Sequence, residues 1–208
     1  MKFKNYLAKL VDLDIEQSLL QQKGKRVMIL TGSSHFKHCE LSDIQKTFLK
    51  NEIWADYQTI TTNFPYNRGF RTSHPSFPNI VQASWSNIVY YWQCLFNKKF
   101  AQEIARHLRP LKNNQETIVI AQSSGLKMLL IAWPQIEKTD HLRVIALGPV
   151  TFMKNRDQKI NLQVIKGRQD KISKFLDSHK VNKYVDCQHF DYLQNEEVRN
   201  YINDVIKN

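Results

Sequence analysis

The chain has 208 residues, 42% of them hydrophobic and 24% charged, and these ordinary fractions exclude a largely disordered protein. One domain is the default at this length, so we expect a single domain over residues 1–208. The formal net charge of +11 favours acidic partners or substrates. The basic residues are scattered, however, and form no clear nucleic-acid-binding motif.

Cysteine usage and hydropathy predict the compartment. The three cysteines, Cys39, Cys94 and Cys187, are widely spaced and form no CxxC pair, which argues against a disulfide framework and suits a reducing compartment. The first residues carry a charge every few positions, so they do not resemble a secretion signal. No apolar stretch approaches the length of a transmembrane segment. We therefore expect a cytoplasmic protein.

The first half of the chain alternates predicted helices and strands. Apolar residues at helical spacing predict an N-terminal helix within residues 1–25, which Gly24 ends. The elements that follow are a strand at 26–32, a helix at 42–52, a strand at 56–62, a loop at 63–78 and a helical region at 79–108. That loop is long enough to suggest a functional role.

The second half supplies the remaining strands. Strands are predicted at 117–121, 142–148, 160–165 and 183–186, with helices at 126–133, after residue 170 and at 195–206. Continuous apolar strands separated by helices are typical of a parallel sheet covered on both faces. We therefore predict an α/β three-layer sandwich with a mainly parallel sheet of five or six strands.

Ser123 occupies a short turn between a predicted strand and a strongly apolar helix. Small residues, Ala121 and Gly125, lie two positions on either side of it. A nucleophilic serine held in a strained strand-to-helix turn needs such neighbours, and the pattern matches the G-x-S-x-G nucleophile elbow with alanine at the first position. A helix-capping serine followed by a packing glycine would give the same local pattern.

Two further residues follow strand ends in the order that a catalytic triad on this architecture requires. Asp170 follows the strand at 160–165, and His189 follows the strand at 183–186. The carboxyl ends of parallel strands meet at one edge of the sheet, so Ser123, Asp170 and His189 can converge there. On the local sequence alone, the alternatives are that Asp170 only caps the next helix and that His189 is a structural or solvent-exposed histidine.

With these three residues in this order, residues 26–208 resemble the α/β-hydrolase superfamily in its compact form. The resemblance implies that Ser123 attacks an acyl carbonyl, that His189 accepts its proton and that Asp170 orients the imidazole. It also implies an oxyanion hole from the backbone N–H groups of Ser124 and Ser33. The loop after the first strand departs from the family because it lacks an H-G run, and Arg71 replaces a glycine of the R-G-x-G-x-S loop.

The expected activity is hydrolysis of a carboxylic ester or thioester of a small-molecule acyl substrate, without a cofactor or metal. A peptidase or amidase would use the same residues. The alternative is a hydrolase-fold binding or regulatory module for an acidic partner. His35, His38 and Cys39 cluster in sequence but have no distant partner at zinc-site spacing. Cys187 lies two residues before His189 and is interpreted as a bystander thiol.

Overall fold

A computed structural model describes residues 3–32, 36, 39–70, 89–113, 116–136, 140–152 and 160–207. Within them the strands are β1 (Arg26–Thr31), β2 (Gln58–Ile60), β3 (Thr117–Gln122), β4 (Leu142–Leu147), β5 (Asn161–Gly167) and β6 (Lys183–Val185). These six strands form one sheet in the order β2-β1-β3-β4-β5-β6, and every neighbouring pair is parallel.

The helices of the described residues connect these strands. They are α1 (Phe3–Asp12), α2 (Asp43–Leu49), α3 (89–96), α4 (Lys98–Leu108), α5 (Gly125–Ile136), α6 (Lys171–Leu176) and α7 (Glu196–Lys207). Short 3-10 turns lie at Ile15–Gln17, Leu19–Gln21, Glu52–Trp54, Arg68–Phe70 and Arg109–Asn113. None of the helices in the described part of the chain is long and apolar enough to cross a membrane.

Each face of the sheet buries its own apolar cluster. Alternate residues of β1 separate into the two clusters, with Met28 and Leu30 in one and Val27 and Ile29 in the other, because successive side chains of a strand point to opposite faces. The first cluster includes residues of α1, α4 and α5, and the second includes residues of α2 and α7. The predicted α/β three-layer sandwich is thus confirmed.

The strand order makes the carboxyl ends of β1 and β3 the switch point of the sheet topology. The chain passes from β1 to β2 on one side and then returns to β3 on the other side of β1. Loops that leave neighbouring strands in opposite directions open a crevice, which is the usual ligand site of an open parallel sheet. Ser123 directly follows β3 and therefore lies at this position.

The N-terminal helix is shorter than the predicted span of residues 1–25. Helix α1 ends at Asp12, and two 3-10 turns follow it. The side chain of Asp14 accepts a hydrogen bond from the backbone N–H of Glu16, and that of Ser18 accepts one from Leu20. Such local side-chain acceptors compete with helical hydrogen bonds, so the apolar spacing alone overestimated the helix.

A buried ionic cluster joins β5 to the segment after α6. The Lys166 ammonium lies 2.9 Å from Asp177 Oδ2. The other oxygen, Asp177 Oδ1, accepts a hydrogen bond from Thr151 Oγ1 at 2.6 Å and contacts His179 Nδ1 at 2.6 Å. All four residues are buried. Burial raises the pKa of Asp177, but hydrogen bonds from His179, Thr151 and Lys166 outweigh it and hold that pKa below its usual value.

Asp177→Ala is expected to destabilise the fold by about 3 to 5 kcal/mol, because it leaves the Lys166 ammonium buried without its counter-charge. The matched control is Asp186→Ala, which breaks an ion pair with Arg168 whose side chains are 64% and 61% exposed. Exposed pairs contribute about 1 kcal/mol or less. Urea unfolding of both variants measures the difference, and equal losses would contradict a structural role for the buried pair.

Candidate active site

Ser123 lies in a tight turn between β3 and α5 with a strained backbone. Its φ is 54°, in the left-handed region that non-glycine residues seldom adopt. Two hydrogen bonds to the segment after β4 hold this conformation: Ser123 N–H donates to the Leu147 carbonyl at 3.1 Å, and Val150 N–H donates to the Ser123 carbonyl at 3.0 Å. Such strain persists only where the surroundings fix it, and it is common at functional sites.

Gly125 allows the helix after this turn to approach β1. A Cβ atom at position 125 would lie 1.8 Å from the carbonyl oxygen of Leu30 and 2.6 Å from the Leu30 carbonyl carbon. Both are backbone atoms and cannot move aside without shifting β1. The predicted need for small neighbours therefore has a physical basis here, and Ala121, on the other side of the turn, is fully buried.

His189 joins the serine to a carboxylate. Its Nε2 lies 3.1 Å from Ser123 Oγ, and its Nδ1 lies 2.9 Å from Asp170 Oδ2. The imidazole is buried, and the Phe190 ring packs edge-on against it at 5.1 Å between centroids. The three side chains that follow β3, β5 and β6 are thus brought into one hydrogen-bonded chain.

Asp170 uses its two oxygens differently. Oδ1 caps α6 by accepting a hydrogen bond from the backbone N–H of Ser173 at 3.0 Å, whereas Oδ2 faces His189. Asp170 therefore caps α6 and also contacts His189, and its catalytic role stays a prediction. Burial raises the pKa of this carboxyl, but hydrogen bonds from His189, Tyr192 and Ser173 outweigh it and hold the pKa well below its usual value. Asp170 is consequently ionised at neutral pH.

One of the two residues expected to line an oxyanion hole can be located. Ser124 is buried, and its backbone N–H meets no acceptor among the described residues, which is what an anion-binding donor requires. Ser33 lies outside the described residues. The strand that leads to it is fixed by Asn63, whose side chain accepts from Thr31 N–H at 3.2 Å and donates to the Thr31 carbonyl at 3.1 Å.

The sequence analysis missed a tyrosine at this site. The Tyr192 hydroxyl donates to Asp170 Oδ2 at 2.6 Å and accepts from Gly167 N–H at 2.7 Å. Gly148, with φ of 50°, leaves room for the pair, since a Cβ there would lie 2.5 Å from Tyr192 Cε2 and 2.7 Å from Asp170 Oδ2. The available signal was a tyrosine three residues after the candidate histidine.

Of the other candidates, only Cys39 and Cys187 lie among the described residues, and neither belongs to the hydrogen-bonded chain of Ser123, His189 and Asp170. Cys187 is buried, and burial together with nearby carboxylates raises the pKa of its thiol to about 11, so the thiol stays protonated. His35 and His38 lie outside the described residues, while Cys39 is buried. Within the described residues, no group of three or more His, Cys, Asp or Glu side chains could hold a metal ion.

The loop that resembled R-G-x-G-x-S is described only in its first part. Asn67 bonds the N-terminal segment through a hydrogen bond from Nδ2 to the Asp14 carbonyl at 2.6 Å. Residues 71–73, including Arg71, lie outside the described residues.

Comparison of the sequence with models of known protein families finds no match, and comparison with curated proteins finds none either.

Gly125→Ala is expected to lower the free energy of unfolding by at least about 2 kcal/mol, because the added methyl group collides with the Leu30 backbone. Gly69→Ala is the control, since a Cβ there meets only side-chain atoms, the nearest at 3.2 Å. Thermal or urea unfolding measures both variants. A tolerated Gly125→Ala with an unchanged midpoint would contradict the close approach of α5 to β1.

Proposed function

We propose that this protein is a serine hydrolase of the α/β-hydrolase type, which cleaves a carboxylic ester or thioester through an acyl-enzyme on Ser123. The observation that carries the proposal is the continuous hydrogen-bonded chain from Ser123 through His189 to Asp170. It lies at the carboxyl edge of an all-parallel sheet, beside the switch point between β1 and β3. The strained backbone of Ser123 supports it independently.

In the proposed reaction, Ser123 Oγ attacks the acyl carbonyl carbon while its proton passes to His189 Nε2. The tetrahedral oxyanion accepts a hydrogen bond from the backbone N–H of Ser124. When the bond to the leaving group breaks, the imidazolium returns the proton to the departing alkoxide or thiolate. Water then attacks the acyl-enzyme with His189 again as base, which releases the carboxylic acid and restores the Ser123 hydroxyl.

Asp170 supplies the electrostatic part of this cycle. Its low pKa keeps it ionised while the positive charge forms on His189. A buried carboxylate in contact with Nδ1 selects the tautomer that leaves Nε2 free to accept a proton, and it stabilises the imidazolium. In this role Asp170 does not itself accept the proton.

Apolar surface beside the site favours an acyl substrate. Phe190, next to His189, is 71% exposed, and Phe152 on the segment after β4 is 57% exposed. Exposed aromatic side chains at the entrance to a site can contact the acyl chain of a substrate. An amide or peptide bond would be cleaved by the same groups, so parallel assays with esters, thioesters and amides separate these substrate classes.

A fluorophosphonate probe is expected to label the folded protein at Ser123, because the probe captures a serine activated by a neighbouring imidazole. Ser123→Ala should abolish labelling and reduce turnover of a 4-nitrophenyl ester by more than about a thousandfold. Ser124→Ala is the matched control, since it removes a neighbouring hydroxyl but keeps the backbone N–H. Absence of labelling in the native protein, or equal labelling of the Ser123 variant, would refute the proposal.

His189→Ala is expected to abolish labelling because it removes the general base. The chain provides a matched control in His179, whose Nδ1 also contacts a buried carboxylate, Asp177, at 2.6 Å. His179→Ala should retain labelling, provided that circular dichroism shows the variant to be folded. If both folded variants lost labelling equally, the assignment of His189 as the base would be wrong.

The net charge of +11 favours a second candidate function, a binding or regulatory module for an acidic partner. Lys171 and Lys174 on α6 are exposed and lie beside the site. A pull-down with an acidic polypeptide at increasing salt concentrations tests this function. Salt-sensitive binding that Ser123→Ala leaves unchanged, in a protein without ester turnover, would favour the module over the enzyme.

A further inference from the structure

We infer that Tyr192 is a positioning residue of this site, which holds Asp170 Oδ2 in place and sets how strongly that oxygen attracts the proton on His189. The catalytic role of Tyr192 rests on the proposed function. The contacts themselves involve three described side chains, Tyr192, Asp170 and His189. Tyr192 itself need not touch the substrate.

Tyr192 and His189 share one carboxylate oxygen. Asp170 Oδ2 contacts the Tyr192 hydroxyl at 2.6 Å and His189 Nδ1 at 2.9 Å, while Oδ1 bonds only to the backbone N–H of Ser173 within the described residues. Two donors on the same oxygen compete for its negative charge. The tyrosine therefore acts on the oxygen that stabilises the imidazolium.

The Tyr192 hydroxyl is already oriented in this structure. It accepts from Gly167 N–H at 2.7 Å, so its own proton is directed at Asp170. Tyr192 is fully buried. Burial and the adjacent carboxylate raise the pKa of its phenol well above the usual value, so it stays a donor throughout the working pH range.

The residues around the contact between Tyr192 and Asp170 leave room for it. Gly148 lacks a Cβ where one would collide with Tyr192 and with Asp170. The turn between β6 and α7 carries both donors, three residues apart, and Gln188 N–H bonds to the Asp191 carboxylate within it. Movement of this turn would displace His189 and Tyr192 together.

Among the described residues, few other titratable groups face the pair. The one near Asp170 from outside its own element is Cys187, and its raised pKa of about 11 keeps it neutral. Arg168 and Lys171, the chain neighbours of Asp170, are exposed, as is Asp191 beside His189. The Tyr192 hydroxyl is therefore the group whose removal changes the charge on Asp170 Oδ2 most directly.

Tyr192→Phe tests the inference because it removes only the hydroxyl. Without that donor, Asp170 Oδ2 binds the proton on His189 more tightly, so the pH at half-maximal fluorophosphonate labelling should rise by about 0.5 to 1 unit. The labelling rate on the high-pH plateau should fall about tenfold because the carboxylate is less firmly held. An unchanged pH midpoint in the folded variant would overturn the inference.

The matched control is Tyr57→Phe. Tyr57 also donates its hydroxyl to a carboxylate, Glu116 Oε1 at 2.8 Å, but Glu116 precedes β3 and lies at the opposite edge of the sheet. This variant loses the same chemical contact and should keep the wild-type pH midpoint. An equal shift in both variants would mean that the effect is general and would overturn a specific role for Tyr192.

Titration of the His189 ring signal by NMR gives a readout that needs no turnover. It should show the same upward shift of the midpoint in Tyr192→Phe. If the native protein is not labelled by the probe, the proposed function fails, and the NMR titration alone still decides the inference. Should Tyr192→Phe not fold, 3-fluorotyrosine placed at position 192, a stronger donor, should shift the midpoint downward; no shift would overturn the inference.

Discussion

The buried carboxylate of Asp170 is the constraint on which the site depends. An ionised carboxylate removed from water must have its oxygens satisfied by donors. Here the donors come from three places: the start of α6, the histidine after β6 and the tyrosine three residues beyond it. The hydrogen bonds to the Asp170 carboxylate therefore connect the end of β5 to the turn before α7. The same hydrogen bonds that make its burial tolerable also fix the imidazole that faces Ser123.

The Ser123 side of the site depends on a different constraint, the close packing of α5 on β1. Backbone approaches backbone at Gly125, and this contact fixes where the helix begins. The turn that precedes the helix must then adopt a positive φ at Ser123, which the hydrogen bonds to Leu147 and Val150 maintain. The segment after β4 thus supports the serine directly and, through Gly148, also leaves space for Asp170. The loop after β4 therefore affects both the Ser123 turn and the contact between Asp170 and Tyr192.

The sequence predicted the sandwich and the three residues that the structure brings together, because each rests on a local pattern. Strands β1 and β3 are continuous apolar runs, and Ser123 has the small neighbours that a tight turn needs. Strand β2 is shorter than predicted since it lies at the sheet edge and pairs only with β1, at three positions. Tyr192 was missed because its bond to Asp170 spans 22 residues between loops and leaves no periodic signal, so that its nearness in sequence to His189 was the one available indication. The second oxyanion donor, Ser33, stays a prediction.

Two buried carboxylate–imidazole pairs in one chain show why contact alone does not define a catalytic pair. Asp177 contacts His179, but the Lys166 ammonium lies 2.9 Å from the same carboxylate and already neutralises its charge. The Thr151 hydroxyl also donates to this carboxylate. Asp170 instead receives neutral donors from Tyr192 and Ser173, so its negative charge is available to a cation that forms on His189. The far nitrogen of that imidazole faces a serine hydroxyl. The two pairs therefore differ in whether a cationic side chain already lies against the carboxylate.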